Sequence, residues 1–157
     1  MTIEKAVSSD HEILTEITKK SKAFWGYSEE QIQIWSPFLT VTQQYIENNS
    51  VYKLSIEDKI IGYYSFLNEE ESIVKLDNLF VLPEFIGKGV GRLLMEHFFL
   101  SLDKINIHKI ILHSEPNAEQ FYAKLGFIKT GEIETSIKDR YMPLMELELN
   151  HIEILEK

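Results

Sequence analysis

The sequence contains no cysteine, which excludes disulfide bridges, thiolate zinc sites and a cysteine nucleophile. It also lacks any apolar run near the ~20 residues that a membrane-spanning helix requires. Its first residues, Met-Thr-Ile-Glu-Lys, carry neither the basic region nor the apolar region of a signal peptide. We therefore expect a cytoplasmic protein with no membrane partner.

Basic residues are scarce relative to acidic ones, at 16 Lys and Arg against 25 Asp and Glu, and the net charge is −9. A general nucleic-acid binder needs a basic surface, so no nucleic-acid partner is expected. The acidic balance is compatible with a cationic or amine partner. No pair of histidines has metal-ligand spacing, and no metal is expected.

The remaining composition is that of one globular domain. Hydrophobic residues make up 44% and charged residues 26% of 157 residues, and no repeat, linker or charge block divides the chain. We therefore predict a single domain over residues 1–157.

The hydrophobic periodicity predicts an α/β (α+β) chain. Helical patterns occupy about 10–23, 28–39 with a break near Pro37, 42–48, 92–103 and a segment from Pro116 to Leu125. Strand patterns occupy 3–7, 51–56, 59–67, 72–82, 109–113, a segment from Phe127, and 144–149. The strands at 51–82 form an antiparallel meander, and the strand at 109–113 should lie parallel to its predecessor because a helix intervenes.

Residues 79–94 carry the strongest chemical signal. An apolar strand ends at Pro83, which cannot donate to a ladder, and a helix follows a turn in which three glycines alternate with other residues. Glycine allows the backbone N–H groups of such a turn to converge on phosphate oxygens, and the helix start adds orphan N–H groups and a positive dipole end. A flexible loop without a ligand is the alternative interpretation.

Two nucleotide motifs fail on spacing. A P-loop requires Lys followed by Ser or Thr after its last glycine, and Gly89 and Gly91 are followed by neither. A dinucleotide fold requires G-x-G-x-x-G, whereas the turn reads G-x-G-x-G. A phosphate-bearing cofactor of another kind remains.

A second segment, residues 117–127, has Asn117, then Tyr122, then Gly126-Phe127. Together with the strand and turn at 79–94, it resembles the GNAT superfamily of acetyl-coenzyme A dependent N-acetyltransferases. The resemblance implies a single mixed, mainly antiparallel sheet of about 6–7 strands with a central splayed parallel pair, flanked by about 4 helices. It also implies acetyl-coenzyme A as acetyl donor.

The resemblance implies that backbone groups of the strand bind the pantetheine arm and that the turn holds the pyrophosphate. The family commonly has Arg or Gln where this chain has Ile86, which puts the contribution of that side chain in doubt. Asn117 either bonds the pantetheine amide or caps a helix, and Phe121 is assigned to the cofactor site or to packing. The implied cofactor-binding residues are Leu79, Phe80, Val81, Ile86, Gly87, Lys88, Gly89, Val90, Gly91, Arg92, Asn117 and Phe121.

The implied reaction is direct attack of a neutral amine on the thioester through a tetrahedral intermediate. Tyr122 is expected to act as general acid toward the leaving thiolate, although a tyrosine at that helical spacing is often core. The N–H of Val81 is a candidate oxyanion donor. Asp77 is the candidate base and Glu84 also flanks the reactive strand, although an exposed acid is more often only a solvated surface charge.

The acceptor is expected to be a primary amine, on a small molecule rather than a peptide. Trp25 and Tyr27 are candidates for the acceptor groove, and Arg140 could read an acceptor carboxylate or lie in a surface ion pair. A non-catalytic acyl-coenzyme A binding or sensing module is the alternative function. A homodimer through the helix face at residues 97–99 is left open.

Overall fold

A computed structural model describes residues 1–103 and 105–149, so the last part of the predicted 1–157 domain, residues 150–157, lies outside the described residues. The strands are β1 (Thr2–Lys5), β2 (Ser50–Ile56), β3 (Lys59–Glu70), β4 (Ile73–Val81), β5 (Lys109–His113), β6 (Ile128–Glu134) and β7 (Tyr141–Glu148). The helices are α1 (His11–Phe24), α2 (Glu29–Leu39), α3 (Gln43–Asn48), α4 (Val90–Leu102) and α5 (Glu119–Lys124), with short 3-10 turns at Ser8–Asp10, Pro83–Phe85 and Pro116–Ala118.

The strands form one mixed sheet in the order β1-β2-β3-β4-β5-β7-β6. The pair β4–β5 is parallel, as the helical crossover between these strands requires. The predicted fold class is confirmed, with seven strands and five helices rather than about four.

The first hairpin forms where the sequence predicted its turn. Glu57 and Asp58 join β2 to β3 with φ angles of 49° and 67°. Two consecutive residues with positive φ give the turn whose twist matches that of the flanking strands. The turn sets the pairs Ile56↔Lys59 and Ser55↔Ile60, and a β-bulge between Leu54 and Ser55 then shifts the register to Leu54↔Gly62.

The expected break at Pro37 is wrong, because Pro37 lies inside α2, which continues to Leu39. Proline removes one N–H and crowds the carbonyl four residues earlier, and this cost falls on the last turn of the helix. Helix α3 is capped at its C-terminal end by Asn49, which has φ −131° and donates its N–H to the carbonyl of Tyr45 at 3.1 Å.

The chain divides into two compact units, Met1–Phe66 with Asn78–Ser101, and Leu67–Asp77 with Leu102–Lys157. The core of the first unit includes Leu14, Ile17, Tyr63, Tyr64 and Phe98, all fully buried. The core of the second includes Ile110, Leu112, Phe127 and Met145. The single domain therefore stays a prediction.

None of the helices in the described ranges is long and apolar enough to cross a bilayer.

Candidate functional site

The end of β4 presents alternate backbone groups to two sides. The N–H of Leu82 donates to the carbonyl of Ile61 on β3 at 2.8 Å. Because successive N–H groups of a strand point in opposite directions, the N–H of Val81 points away from β3. The parallel ladder with β5 ends at Leu76↔Leu112, and β4 continues to Val81. The Val81 N–H therefore lies beyond the last paired residues of that ladder.

The turn after β4 is closed by its own hydrogen bonds. Phe85 donates to the carbonyl of Leu82 at 2.9 Å, and Ile86 donates to that of Pro83 at 3.2 Å. Lys88 donates to the carbonyl of Phe85 at 3.3 Å. The N–H of Ile86 is therefore engaged within the turn itself.

Gly87 and Gly89 have φ of 80° and 82°, a conformation that glycine adopts without strain. A Cβ built on either glycine would meet no atom within 4 Å, so the space beside the turn is open. Both positions are exposed. The backbone here can be approached closely by a ligand.

The start of α4 completes a set of unpaired donors, which we call the amide cradle. The first helical bond is that from the N–H of Leu93 to the carbonyl of Gly89, at 3.1 Å. The preceding N–H groups have no hydrogen-bond partner within residues 1–103 and 105–149. The amide cradle consists of the N–H groups of Gly87, Gly89, Val90, Gly91 and Arg92.

The side chains around the amide cradle add little fixed charge. Lys88 is exposed, and Arg92 makes a long 3.4 Å contact to Glu96 while remaining largely exposed. The first turn of α4 carries no acidic residue that would repel an anion. The open space and the unpaired N–H groups fit a pyrophosphate held mainly by backbone donors.

Tyr122, on α5, is packed edge-to-face between Phe121 and Phe127, with ring centroids 5.1 Å and 5.7 Å away. Its residue is 7% exposed, and burial raises the pKa of its hydroxyl. Among the described residues this hydroxyl has no hydrogen-bond partner, although no fully buried side-chain oxygen is left without one. The hydroxyl oxygen is therefore not completely enclosed, and its raised pKa keeps the hydroxyl protonated at neutral pH.

Asn117 and Arg140 are brought together by Glu115, which sequence reasoning missed. The amide of Asn117 donates to Glu115 Oε1 at 2.7 Å, and Arg140 Nη2 donates to Oε2 at 2.8 Å. The Arg140–Glu115 side chains are only 12% and 11% exposed. Asn117 does not cap α5, whose N-cap is Ala118 without a side-chain bond.

Asp77 follows the end of the β4–β5 ladder in the second unit. Packing around the ring lowers the pKa of His113, and the charge of Lys75 lowers it further, while the carboxylates of Glu69 and Asp77 oppose that shift. His113, at the end of β5, is therefore a neutral imidazole at pH 7 within the electrostatic reach of Asp77.

The two acceptor-groove candidates lie just after α1. Trp25 is 37% exposed and packs edge-to-face on Phe24 at 4.9 Å. Gly26 then takes φ 93° and turns the chain, and Tyr27 packs edge-to-face on Trp35 at 5.0 Å. Trp35 itself is half-buried.

A polar cluster on β3 and β4 was also missed. Asn78 donates to Ser65 Oγ at 2.8 Å, and Ser65 is hydrogen-bonded to the hydroxyl of Tyr45 at 2.8 Å. Ser65 is fully buried among apolar neighbours, where a hydroxyl must find a partner. The only local signal was the position of Asn78 between two candidate residues of β4.

A cleft of about 640 Å³ lies between α1 and α2, lined among others by Lys19, Lys20, Glu29 and Gln33.

Phe98, in the helix face considered for dimerisation, is fully buried against Tyr64 and Phe66. The homodimer stays a prediction.

Comparisons with known proteins agree with this geometry. The family described as "Acetyltransferase (GNAT) domain" matches residues 25–149. Peptidyl-lysine N-acetyltransferase YjaB of Escherichia coli K12 is 26% identical over 133 residues, covering 76% of this chain and 88% of that protein.

Two solved structures share the fold. PaiA N-acetyltransferase from Thermoplasma acidophilum, in complex with coenzyme A, is 22% identical with a TM-score of 0.78, covering 95% of this chain and 100% of that one. YncA from Salmonella typhimurium, described as a putative acetyltransferase with its cofactor acetyl-CoA, is 20% identical with a TM-score of 0.69, covering 96% and 94%. With the family match over most of its length, the chain belongs to the GNAT acetyltransferase family, whose members are acyltransferase enzymes.

Proposed function

We propose that this protein transfers an acetyl group from acetyl-coenzyme A to a primary alkylamine. The observation that carries the proposal is the amide cradle, a set of unpaired N–H groups beside open space where β4 gives way to α4. The same cofactor is named with the related structures of PaiA, as coenzyme A, and YncA, as acetyl-CoA.

Acetyl-coenzyme A supplies an acyl group already activated as a thioester. The amide cradle would hold its pyrophosphate, with Lys88 and Arg92 adding weak, solvent-screened charge. The outward-facing groups of Leu79 and Val81 would pair with the pantetheine amides, since alternate residues of β4 point away from β3. Phe80 lies between them, and its carbonyl oxygen lies close to Gly62 of β3.

The N–H of Val81 is proposed as the oxyanion donor. A backbone N–H fixed in a strand needs no reorganisation when charge develops on the carbonyl oxygen, and one such donor typically contributes about 10²–10³-fold in rate. Holding cofactor and amine at the proper separation contributes several kcal/mol more, on the order of 7–11 in well-oriented systems.

Tyr122 is proposed as the proton donor to the leaving thiolate. Because its pKa is raised, the hydroxyl keeps its proton at neutral pH. Because the hydroxyl is not completely enclosed and has no partner among the described residues, we propose that it donates to the thiolate of the bound cofactor. The flanking rings of Phe121 and Phe127 fix its direction.

Removal of the amine proton is proposed for Asp77, directly or through water. His113 is the second group suited to this step, because its lowered pKa leaves it unprotonated at pH 7. The negative charge of Asp77 opposes the lowering of the His113 pKa.

The acceptor class has two candidates. A small primary amine was expected from the sequence, whereas YjaB acts on peptidyl-lysine, as its name states. The two acceptors share a primary amine on an alkyl chain. Arg140 is less suited to acceptor recognition than to holding the loop before β7, because Glu115 pairs with it.

The test is thiol release from acetyl-coenzyme A in the presence of n-butylamine, a lysine-containing peptide or aniline. We expect release with the alkylamine or the peptide above the rate without acceptor. Tight binding of coenzyme A by calorimetry together with no release across the panel would instead support an acyl-coenzyme A binding or sensing module.

A further inference from the structure

The ammonium of Lys22 lies among three aromatic rings. Its Nζ is 6.0 Å from the ring centroid of Tyr27, 5.9 Å from that of Trp35 and 5.9 Å from that of Phe80. The rings of Tyr27 and Trp35 meet at an interplanar angle of 71° and form a corner. We call the ring set of Tyr27, Trp35 and Phe80 the aromatic cage.

The aromatic cage is assembled from separate parts of the first unit. Tyr27 follows the Gly26 turn, Trp35 lies on α2 and Phe80 lies on β4. The partial negative charge at the C-terminal end of α1 explains why a lysine lies in its last turn. It does not explain why three aromatic rings lie around the ammonium of that lysine. Rings arranged in this way are suited to binding an alkylammonium through their negative faces.

Phe80 connects the aromatic cage to the proposed chemistry, and the inference rests on the proposed function in this respect. It directly precedes Val81, the proposed oxyanion donor, on the same strand. An alkylammonium in the aromatic cage would therefore contact the ring of the residue next to the proposed oxyanion donor.

We infer that the aromatic cage of Tyr27, Trp35 and Phe80 binds the alkylammonium group of the acceptor, and that Lys22 occupies this site until the acceptor displaces it. The acceptor class is thus a primary alkylamine that arrives protonated. Aromatic faces attract an ammonium and have no such attraction for a neutral amide.

The cage contributes binding and orientation, not proton removal. The bound ammonium must first lose a proton to the base, and its nitrogen then bonds to the acetyl carbon to give the tetrahedral intermediate. The intermediate loses a second N–H proton from that nitrogen to the base or to water, its carbon–sulfur bond breaks, and the leaving thiolate takes up a proton. The amide product carries no charge. It therefore loses the attraction that brought the amine into the aromatic cage, and Lys22 can return.

The test uses tetramethylammonium, which fills an aromatic cage but has no N–H and cannot be acetylated. Binding is followed by the NMR signal of the Trp35 indole, assigned with a Trp25→Phe variant. In Lys22→Met the probe should bind about tenfold more tightly than in the wild type, because a tethered competitor acts at millimolar effective concentration. Phe80→Leu in the Lys22→Met background keeps the Trp35 signal and should abolish saturable binding, and Tyr27→Leu, which also keeps that signal, tests the same point if the first variant does not fold.

Lys20→Met is the matched control. Lys20 is on the same helix but pairs with Glu16 at 2.7 Å and lines the neighbouring cleft. Probe affinity should be unchanged in this variant. The inference is overturned if folded Lys22→Met shows no saturable binding, or if binding responds to Lys20→Met and not to the ring substitutions, which would place the probe in the cleft.

The two proposals fail separately. Probe binding requires no acetyl-coenzyme A, so absence of turnover leaves the cage result intact. Turnover with no cage binding overturns the aromatic cage alone. In an active enzyme, Lys22→Met should also lower KM for n-butylamine with little change in kcat.

Discussion

Tyr122 packs against the rings of Phe121 and Phe127, so its hydroxyl can be removed while these ring contacts are kept. Tyr122→Phe should lower kcat for acetyl transfer by about 10²-fold or more, since general acid catalysis contributes about 10²–10⁴-fold. Affinity for acetyl-coenzyme A should stay unchanged. Thiol-release kinetics and calorimetry measure the two quantities.

Tyr141→Phe is the control for this substitution. Tyr141 lies on β7, is 43% exposed and has no assigned role. Its loss should leave both quantities unchanged. Equal turnover in Tyr122→Phe and the wild type would remove the acid role from Tyr122.

Single residues also show what the sequence could not predict. The motif containing Asn117 was visible, but its partner Glu115 also binds Arg140, which is 25 positions away in the chain. An ion pair of this kind depends on how distant segments approach each other. The sequence gives the residue types and their spacing, not which of them become partners.

At the scale of elements, β3 and β4 approach closely at Gly62. A Cβ there would lie 3.1 Å from the carbonyl oxygen of Phe80 and 3.3 Å from Leu94 Cδ1. Gly62→Ala should therefore destabilise the protein by about 1–3 kcal/mol, as overpacking does, and should displace the strand that carries Val81. Urea denaturation measures the free energy of unfolding, and thiol release measures the effect on activity.

Gly131→Ala is the matched glycine substitution on β6. Its Cβ would meet only the end of the Leu144 side chain at 3.4 Å, an ordinary contact. Its effect on stability should stay within about 0.5 kcal/mol. A Gly62→Ala protein as stable as Gly131→Ala would contradict the close approach of β4.

His97, on α4, is expected to make the stability of the protein depend on pH. The hydroxyl of Tyr64 lies 2.7 Å from His97 Nδ1, and burial lowers the pKa of the imidazole. The unfolded chain takes up this proton at the ordinary pKa near 6.5, above the folded value. Stability should therefore fall as the pH drops below about 6.5.

His97→Gln should reduce the loss of stability between about pH 7 and pH 5, because glutamine does not titrate there. His113, whose pKa is also lowered, should retain part of the slope. Thermal unfolding at fixed ionic strength across this range measures the slope. An unchanged slope in folded His97→Gln would exclude His97 as a source.

The elements that could be predicted are those with local signals. The hairpin at Glu57-Asp58 and the glycine turn need particular backbone angles that only certain residues adopt, so short stretches of sequence reveal them. The aromatic cage could not be predicted as a unit, because its rings come from a loop, from α2 and from β4. The rule that proline breaks a helix failed at Pro37. Proline is tolerated there because it lies in the last turn of α2 and not in the helix interior.

For the whole molecule, ligand binding should appear as stability. Coenzyme A that binds the folded chain alone at about 100 times its Kd should add about 2.7 kcal/mol to the free energy of unfolding. For a chain of 157 residues this corresponds to a rise in Tm of about 5–10 °C. Differential scanning fluorimetry measures the shift.

Adenosine, which lacks the pyrophosphate, is the comparison ligand for the amide cradle. It should raise Tm far less than coenzyme A at equal concentration. Equal shifts from the two ligands would indicate that binding does not involve the cradle, and no shift from either would contradict cofactor binding at this site.

The positive φ angles of Gly87 and Gly89 also have a genetic consequence. A D-amino acid adopts such angles as its ordinary state, but the ribosome supplies only L residues and glycine. A missense change in either glycine codon therefore places an L side chain in a backbone of the opposite handedness, at a cost of about 1–2 kcal/mol. Because the space beside both positions is open, handedness rather than crowding is what restricts which mutations this turn can accept.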